Sequence, residues 1–400
     1  MSAAHVILVP GLLGFQRLGA LTYFTDVEEV LAEPFREVGI DVSVTAIRTL
    51  PTSSLRARAA RLAEVVSEVP AHEEVYLVGH STGGLDCRLF TAPGASLPTK
   101  VDVEAAASRV RAAVSVATPH RGAPLATVFT GVHGHRLMGV VSRALTWLLK
   151  GGRSSMSTMI EIGKVVLLLD RIAGMEAEIR NALRQEIRAG VTRLGGEDPG
   201  IPAWLDDIGE DSTLLEQLTP AAVDLLEGTL REREGMRYGS VVAMAPAPGL
   251  RRLARLRMDP YTRLSTALYL LLHRLAGSSE REEPVLEPEQ RLALQRMLGV
   301  MPRRRDNDGF VPTLSQVWGP VIAAVHGDHL DLMGYYGGRS DRPRLDMLTS
   351  GARFGWRDFH ATWTAVSRFM LGEGEAPTVT ADEGEGATGS EGIGDVDLRD

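Results

Sequence analysis

The chain has 400 residues, 44% of them hydrophobic and 24% charged, the balance of an ordinary globular protein with enough apolar residues for a sizeable core. A net charge of -8 argues against a nucleic-acid surface. Cys87 is the only cysteine, which excludes an intrachain disulfide and the disulfide framework of small secreted domains.

Met1-Ser2-Ala3-Ala4-His5 leads directly into Val6-Ile7-Leu8-Val9, with no charged leader, apolar segment or cleavage site, so the expected address is the cytoplasm. No apolar run is long enough to span a membrane. Val6 to Val9 reads as a fully buried strand. It opens into Pro10-Gly11-Leu12-Leu13-Gly14-Phe15, a glycine-rich loop whose amides can face a ligand. The phosphate-binding patterns G-x-x-x-x-G-K-[ST] and G-x-G-x-x-G are both missing.

Val27, Val30, Leu31, Phe35 and Val38 recur at helical spacing, and Asp41 to Ala46 alternates like a strand. Ser53-Ser54 caps a helix from Leu55 to Val69, with Leu55, Ala59, Leu62 and Val66 on one side. Val75-Tyr76-Leu77-Val78 then runs into Gly79-His80-Ser81-Thr82-Gly83-Gly84. A buried strand entering G-x-S-x-G is the sequence form of a strained strand-to-helix turn that presents a nucleophilic serine, here Ser81. The tetrahedral intermediate of acyl transfer carries an oxyanion that needs preorganised donors, and the amides of Leu12 and Thr82 are placed to supply them. Cys87, just behind the turn, reads as a buried small apolar residue.

Val110 to Ala117 is the next buried strand, ending in Thr118-Pro119-His120-Arg121-Gly122 at the sheet edge where ligands bind. His120, between a proline and an arginine, shapes this loop. From about Val128 to Glu234 strand signals stop and apolar residues recur at helical spacing, as in Ile160, Ile162, Val166, Leu169 and Ile172. This predicts a helical cap or lid whose apolar face favours an apolar substrate; packing among the helices or on a second subunit is the other reading. His133 and His135 read as loop histidines, since no second cluster has ligand spacing.

Met236 to Met244 returns to the sheet, Tyr261 to Ala276 is helical, and Pro284 and Pro288 interrupt the stretch from Glu282 onward. Asp306-Asn307-Asp308-Gly309 and His326-Gly327-Asp328-His329 supply the acid and the base in the chain order serine, aspartate, histidine. Asp308, at a turn before Gly309, is preferred to its competitor Asp306. His329, reached from Val321 to Val325 through a short turn, is preferred to His326. A last helix carries Trp363, Val366, Phe369 and Met370, and the polar chain from Gly372 reads as a disordered acidic tail.

The motifs at residues 9–15, 79–85, 117–122, 307–312 and 328–331 resemble, in order, those of the bacterial triacylglycerol lipases of the Pseudomonas and Burkholderia type. The resemblance implies an α/β-hydrolase fold, a mostly parallel sheet with helices on both faces; it is confined to these motifs, and the helical insertion is not recognisably the family's. It implies Ser81 as nucleophile, Asp308 as acid, His329 as base, and Leu12 and Thr82 as oxyanion amides. Pro10 stands where the family usually has a histidine, so the oxyanion loop must be supported differently here. The family commonly holds calcium near the histidine loop; Asp331 matches one ligand and no partner carboxylate is identified. The resulting expectation is a hydrolase core at residues 1–127 and 235–371, a cap at 128–234 and a tail at 372–400. It is a serine carboxylester hydrolase that needs neither metal nor cofactor and takes an acyl-ester or lipid substrate. An acyltransferase with the same residues and a non-catalytic binding protein of the same fold are the alternatives.

Overall fold

The computed structural model describes residues 2–12, 17–18, 21–49, 53–131, 213–247, 260–278, 281–336 and 346–373. Most of the expected cap, with His133 and His135, and nearly all of the expected tail lie outside the described residues.

Six strands, β1 (Ala3–Val9), β2 (Asp41–Ala46), β3 (Glu73–His80), β4 (Val110–Val116), β5 (Arg237–Ala243) and β6 (Val321–Val325), form one sheet in the order β2-β1-β3-β4-β5-β6. All five pairings are parallel. The apolar runs are continuous rather than alternating because both faces of the sheet are covered. Val6 and Leu8 face a core shared with helices α1 (Val27–Glu37) and α10 (Trp356–Met370). Their neighbours Ile7 and Val9 face the opposite core, shared with α2 (Leu55–Glu68), α3 (Thr82–Thr91) and α4 (Val103–Ser108). The chain changes direction between β1 and β3, and the carboxyl ends of these strands and of β4 present the loops singled out by sequence.

Local signals set most boundaries. The Ser54 hydroxyl accepts from the Ala57 amide at 3.3 Å and starts α2. Helix α10 begins at Trp356, ahead of the expected Trp363 region, where the Asp358 carboxylate accepts the Gly355 amide. Burial of Phe359 and Trp363 contributes about 1.5–3 kcal/mol for each ring. The Trp363 indole N–H also donates to the Leu332 carbonyl at 3.2 Å, tying α10 to the segment after His329.

Helix α5 (Pro124–Thr130) runs into the start of the expected cap, and α6 (Thr213–Gln217) and α7 (Pro220–Glu227) lie within its described end. Leu215 packs into the α1 and α10 core, whereas Leu214 and Leu218 pack into the α2 and α3 core. Helix α8 (Pro260–Ala276) comes next. Helix α9 (Pro288–Leu298) corrects the reading of Pro288 as an interruption. Proline at the first helical position loses only an amide without a helical partner, and the Gln290 side chain accepts the Glu287 amide at 3.0 Å. Leu294 and Leu298 then pack against Val321 and Ala324 of β6. No described helix is long and apolar enough to cross a membrane.

Candidate active site

Ser81 sits between β3 and α3 with φ 55° and ψ -128°, a left-handed conformation that costs a non-glycine residue energy. Its amide donates to the Val116 carbonyl at 2.8 Å, which anchors the strained residue to the end of β4. Close packing explains Gly83: a Cβ there would stand 2.2 Å from the Val9 carbonyl oxygen. Thr82 is the first residue of α3, so its amide has no partner within the helix. Leu12, Thr82, Ser81 and His329 line one cleft.

The second part of the site is built around Asp308, which is fully buried. Its Oδ1 accepts from the amides of Phe310 at 2.9 Å and Val311 at 2.8 Å. Its Oδ2 accepts from His329 Nδ1 at 2.7 Å and from the Gln316 amide nitrogen at 3.1 Å. A carboxylate facing Nδ1 places the hydrogen there and leaves Nε2 as the acceptor. The Phe310 ring lies 5.0 Å from the imidazole, centroid to centroid. Among the described residues no hydrogen bond joins Ser81 Oγ to His329, although the two side chains share the cleft.

The competing residues lie elsewhere. Asp306 accepts the Arg303 amide at 2.7 Å inside its own turn, and His326 Nε2 donates to the Leu298 carbonyl at 2.9 Å on α9. The buried His120 ring packs on Trp318 with centroids 5.0 Å apart. Burial, reinforced by Arg88 and Arg121, holds His120 well below the usual histidine range. Cys87 is buried and its thiol is pushed well up, leaving it inert at neutral pH.

Sequence reasoning missed Arg58, Gln316, Tyr23 and the role of His80. Arg58, 1% exposed, forms a 2.6 Å ion pair with Asp86 and donates to the Pro10 carbonyl at 2.8 Å and to Thr49 at 2.9 Å. Arg58 thereby ties the loop after β1 to α2. Burial pushes the Asp86 carboxyl up, against the pull of Arg58. Gln316 accepts the Ala243 amide at 2.7 Å while its amino group faces Asp308, so it hangs the acid from the end of β5. The one available signal was Arg58 itself, which falls three residues after Leu55 on the apolar stripe of α2, where a charge needs a buried partner.

The calcium implied by the resemblance is tested by the donors beside His329. Asp331 Oδ2 accepts the Asp328 amide at 2.8 Å, and Asp328 Oδ1 accepts the amides of Leu330 and Asp331 at 3.0 and 3.1 Å. The Asp328 carboxylate is buried beside the Ser350 hydroxyl. Burial pushes both carboxyls up, reinforced at Asp328 by the charge of Asp331 and at Asp331 by that of Asp346. Among the described residues no three His, Cys, Asp or Glu side chains gather as a metal site, whereas calcium takes six to eight oxygens. Within the described residues these bonds make a carboxylate-stapled turn.

No protein-family model and no curated protein matches the chain. Among solved structures, lipase 1 from Pelosinus fermentans is similar over 92% of this chain and 99% of that one, at 15% identity and a TM-score of 0.51. A metagenomic carboxyl esterase matches 93% of this chain and 76% of its own, at 18% identity and a TM-score of 0.45. EstA from Clostridium botulinum matches 92% and 87%, at 14% identity and a TM-score of 0.47. With its six-stranded parallel sheet covered by helices on both faces, the chain has the α/β-hydrolase fold.

Proposed function

We propose that the protein is a serine carboxylester hydrolase. The observation that carries this reading is the imidazole of His329, fixed by the buried Asp308 carboxylate, opening with Ser81 onto a single apolar cleft. His329 Nε2 takes the Ser81 proton as Oγ attacks the ester carbonyl carbon, and the amides of Leu12 and Thr82 receive the oxyanion. The alcohol leaves with the proton from His329. A water deprotonated by His329 then attacks the acyl enzyme, releasing the acid and restoring Ser81. Leu12, Leu125, Phe129, Leu215, Leu218 and Met333 line the cleft, which favours an apolar acyl group over a charged one. The five ordered motifs of the Pseudomonas and Burkholderia type support the same chemistry, as does the fold shared with the Pelosinus lipase.

Hydrolysis of p-nitrophenyl esters of short and long acyl chains by purified protein tests this reading. Activity is expected in the wild type and is lost in Ser81→Ala and His329→Ala. Persistent turnover in Ser81→Ala would remove the mechanism. Product analysis with added alcohol separates transfer to water from transfer to another hydroxyl.

A further inference from the structure

We propose that Tyr23 and His80 are positioning residues that hold the oxyanion loop and the His329 loop in register across Ser81 through one buried hydrogen-bond chain. The proposal rests on the ester-hydrolase reading above. The Gly11 amide donates to Tyr23 Oη at 2.9 Å, the Tyr23 hydroxyl meets His80 Nδ1 at 2.8 Å, and His80 Nε2 meets the His329 carbonyl at 3.0 Å. Tyr23 is 3% exposed and His80 fully buried, so no water competes for these groups.

The two ends fix the direction of the chain. A backbone amide only donates, and a carbonyl only accepts. His80 Nε2 must therefore carry the hydrogen, its Nδ1 accepts, and the Tyr23 hydroxyl donates to it while receiving the Gly11 amide. Burial pushes the phenol up and the imidazole down, which keeps every member neutral.

Each end touches the chemistry. A Cβ on Gly11 would lie 2.7 Å from both Tyr23 Oη and Ser81 Cβ, so the loop that presents the Leu12 amide is packed directly on the serine. At the other end, the His329 amide donates to the Asp308 carbonyl at 2.9 Å while its own carbonyl receives His80. Asp308 orients the ring; His80 fixes where the backbone carrying that ring stands. Displacing a reacting group by about 1 Å costs on the order of 100-fold in rate.

The test compares Tyr23→Phe, His80→Gln and the double variant on a p-nitrophenyl ester, together with amide hydrogen exchange of the segments around Gly11 and His329. Tyr23→Phe is expected to lower kcat roughly 10- to 100-fold with KM within about threefold of wild type. Exchange is expected to accelerate at both segments, although Tyr23 bonds directly to only one of them. Because the residues act as one chain, the double variant is expected to lose about as much as the worse single variant. An unchanged kcat, exchange altered only around Gly11, or a double loss equal to the product of the single losses would each overturn the proposal. Wild-type protein inactive on every ester would remove the hydrolase reading itself, whereas an active wild type with unaffected variants removes only the chain.

Discussion

The two sides of Ser81 are held by different physics. Beneath the loop that follows β1, Arg58 and Asp86 form an ion pair with both side chains at 0% exposure. On the base side, Asp308 is equally buried but meets two backbone amides, the neutral amide of Gln316 and an imidazole. An ion pair in the interior is balanced only while both charges are present; a carboxylate in a cage of neutral donors tolerates losing one of them. The Arg58 side should therefore fail by unfolding, and the Asp308 side, under the proposed mechanism, by losing activity in a folded protein.

Asp308→Asn is the largest test. The size is kept but the group that selects the His329 tautomer is lost, and kcat is expected to fall on the order of 10⁴-fold while the melting temperature stays near wild type. A loss under tenfold would remove Asp308 from the proposed mechanism. Arg58→Met comes next, leaving Asp86 as an uncompensated buried charge at a cost of about 3–5 kcal/mol in denaturant unfolding. Arg58→Met combined with Asp86→Leu should recover much of that stability; a double variant as unstable as the single one would break the contrast between the two sides. Gln316→Leu leaves the Ala243 amide without its acceptor and removes one donor from Asp308. It should cost about 1–3 kcal/mol with a smaller loss of kcat than Asp308→Asn. Equal losses would mean that Gln316 is as necessary as the acid.

What the sequence disclosed is what neighbouring residues determine. Apolar runs with no alternation marked buried parallel strands, and the spacing of Gly79, Ser81 and Gly83 marked a turn whose strain is now visible in the Ser81 φ of 55°. The supporting groups escaped because their partners lie far along the chain: Arg58 and Asp86 are 28 residues apart, and His80 and His329 are 249 apart. Nothing local distinguishes a glutamine beneath an acid from one on the surface. Helix α9 escaped for the opposite reason, a local signal with two meanings, since proline stops a helix in its interior and starts one at its first position.

Two further carboxylates, Asp328 and Asp331, flank His329 and are met by neutral donors like Asp308, but here acid is packed against acid. Asp328 and Asp331 face each other with Asp346, Tyr336 and Arg353 around the same cavity, and neither has a counter-ion within its own turn. Burial, with repulsion from Asp346, pushes the Asp331 carboxyl up to about 7, against about 4 in an unfolded chain. Between those values the folded protein holds a proton that the unfolded chain has released, so stability is greatest at the acid end and declines as pH rises from about 4 to about 7, opposite to a salt-bridged carboxylate. Asp331→Asn cannot ionise, and its side-chain oxygen can still accept the Asp328 amide. Thermal melts at pH 5 and pH 7 should show the wild type losing more stability across that interval than the variant. Parallel curves for the two proteins would remove Asp331 as the source of the slope. A rise in wild-type melting temperature on adding calcium, abolished by Asp331→Asn, would instead make the pair a cation site and overturn the stapled-turn account.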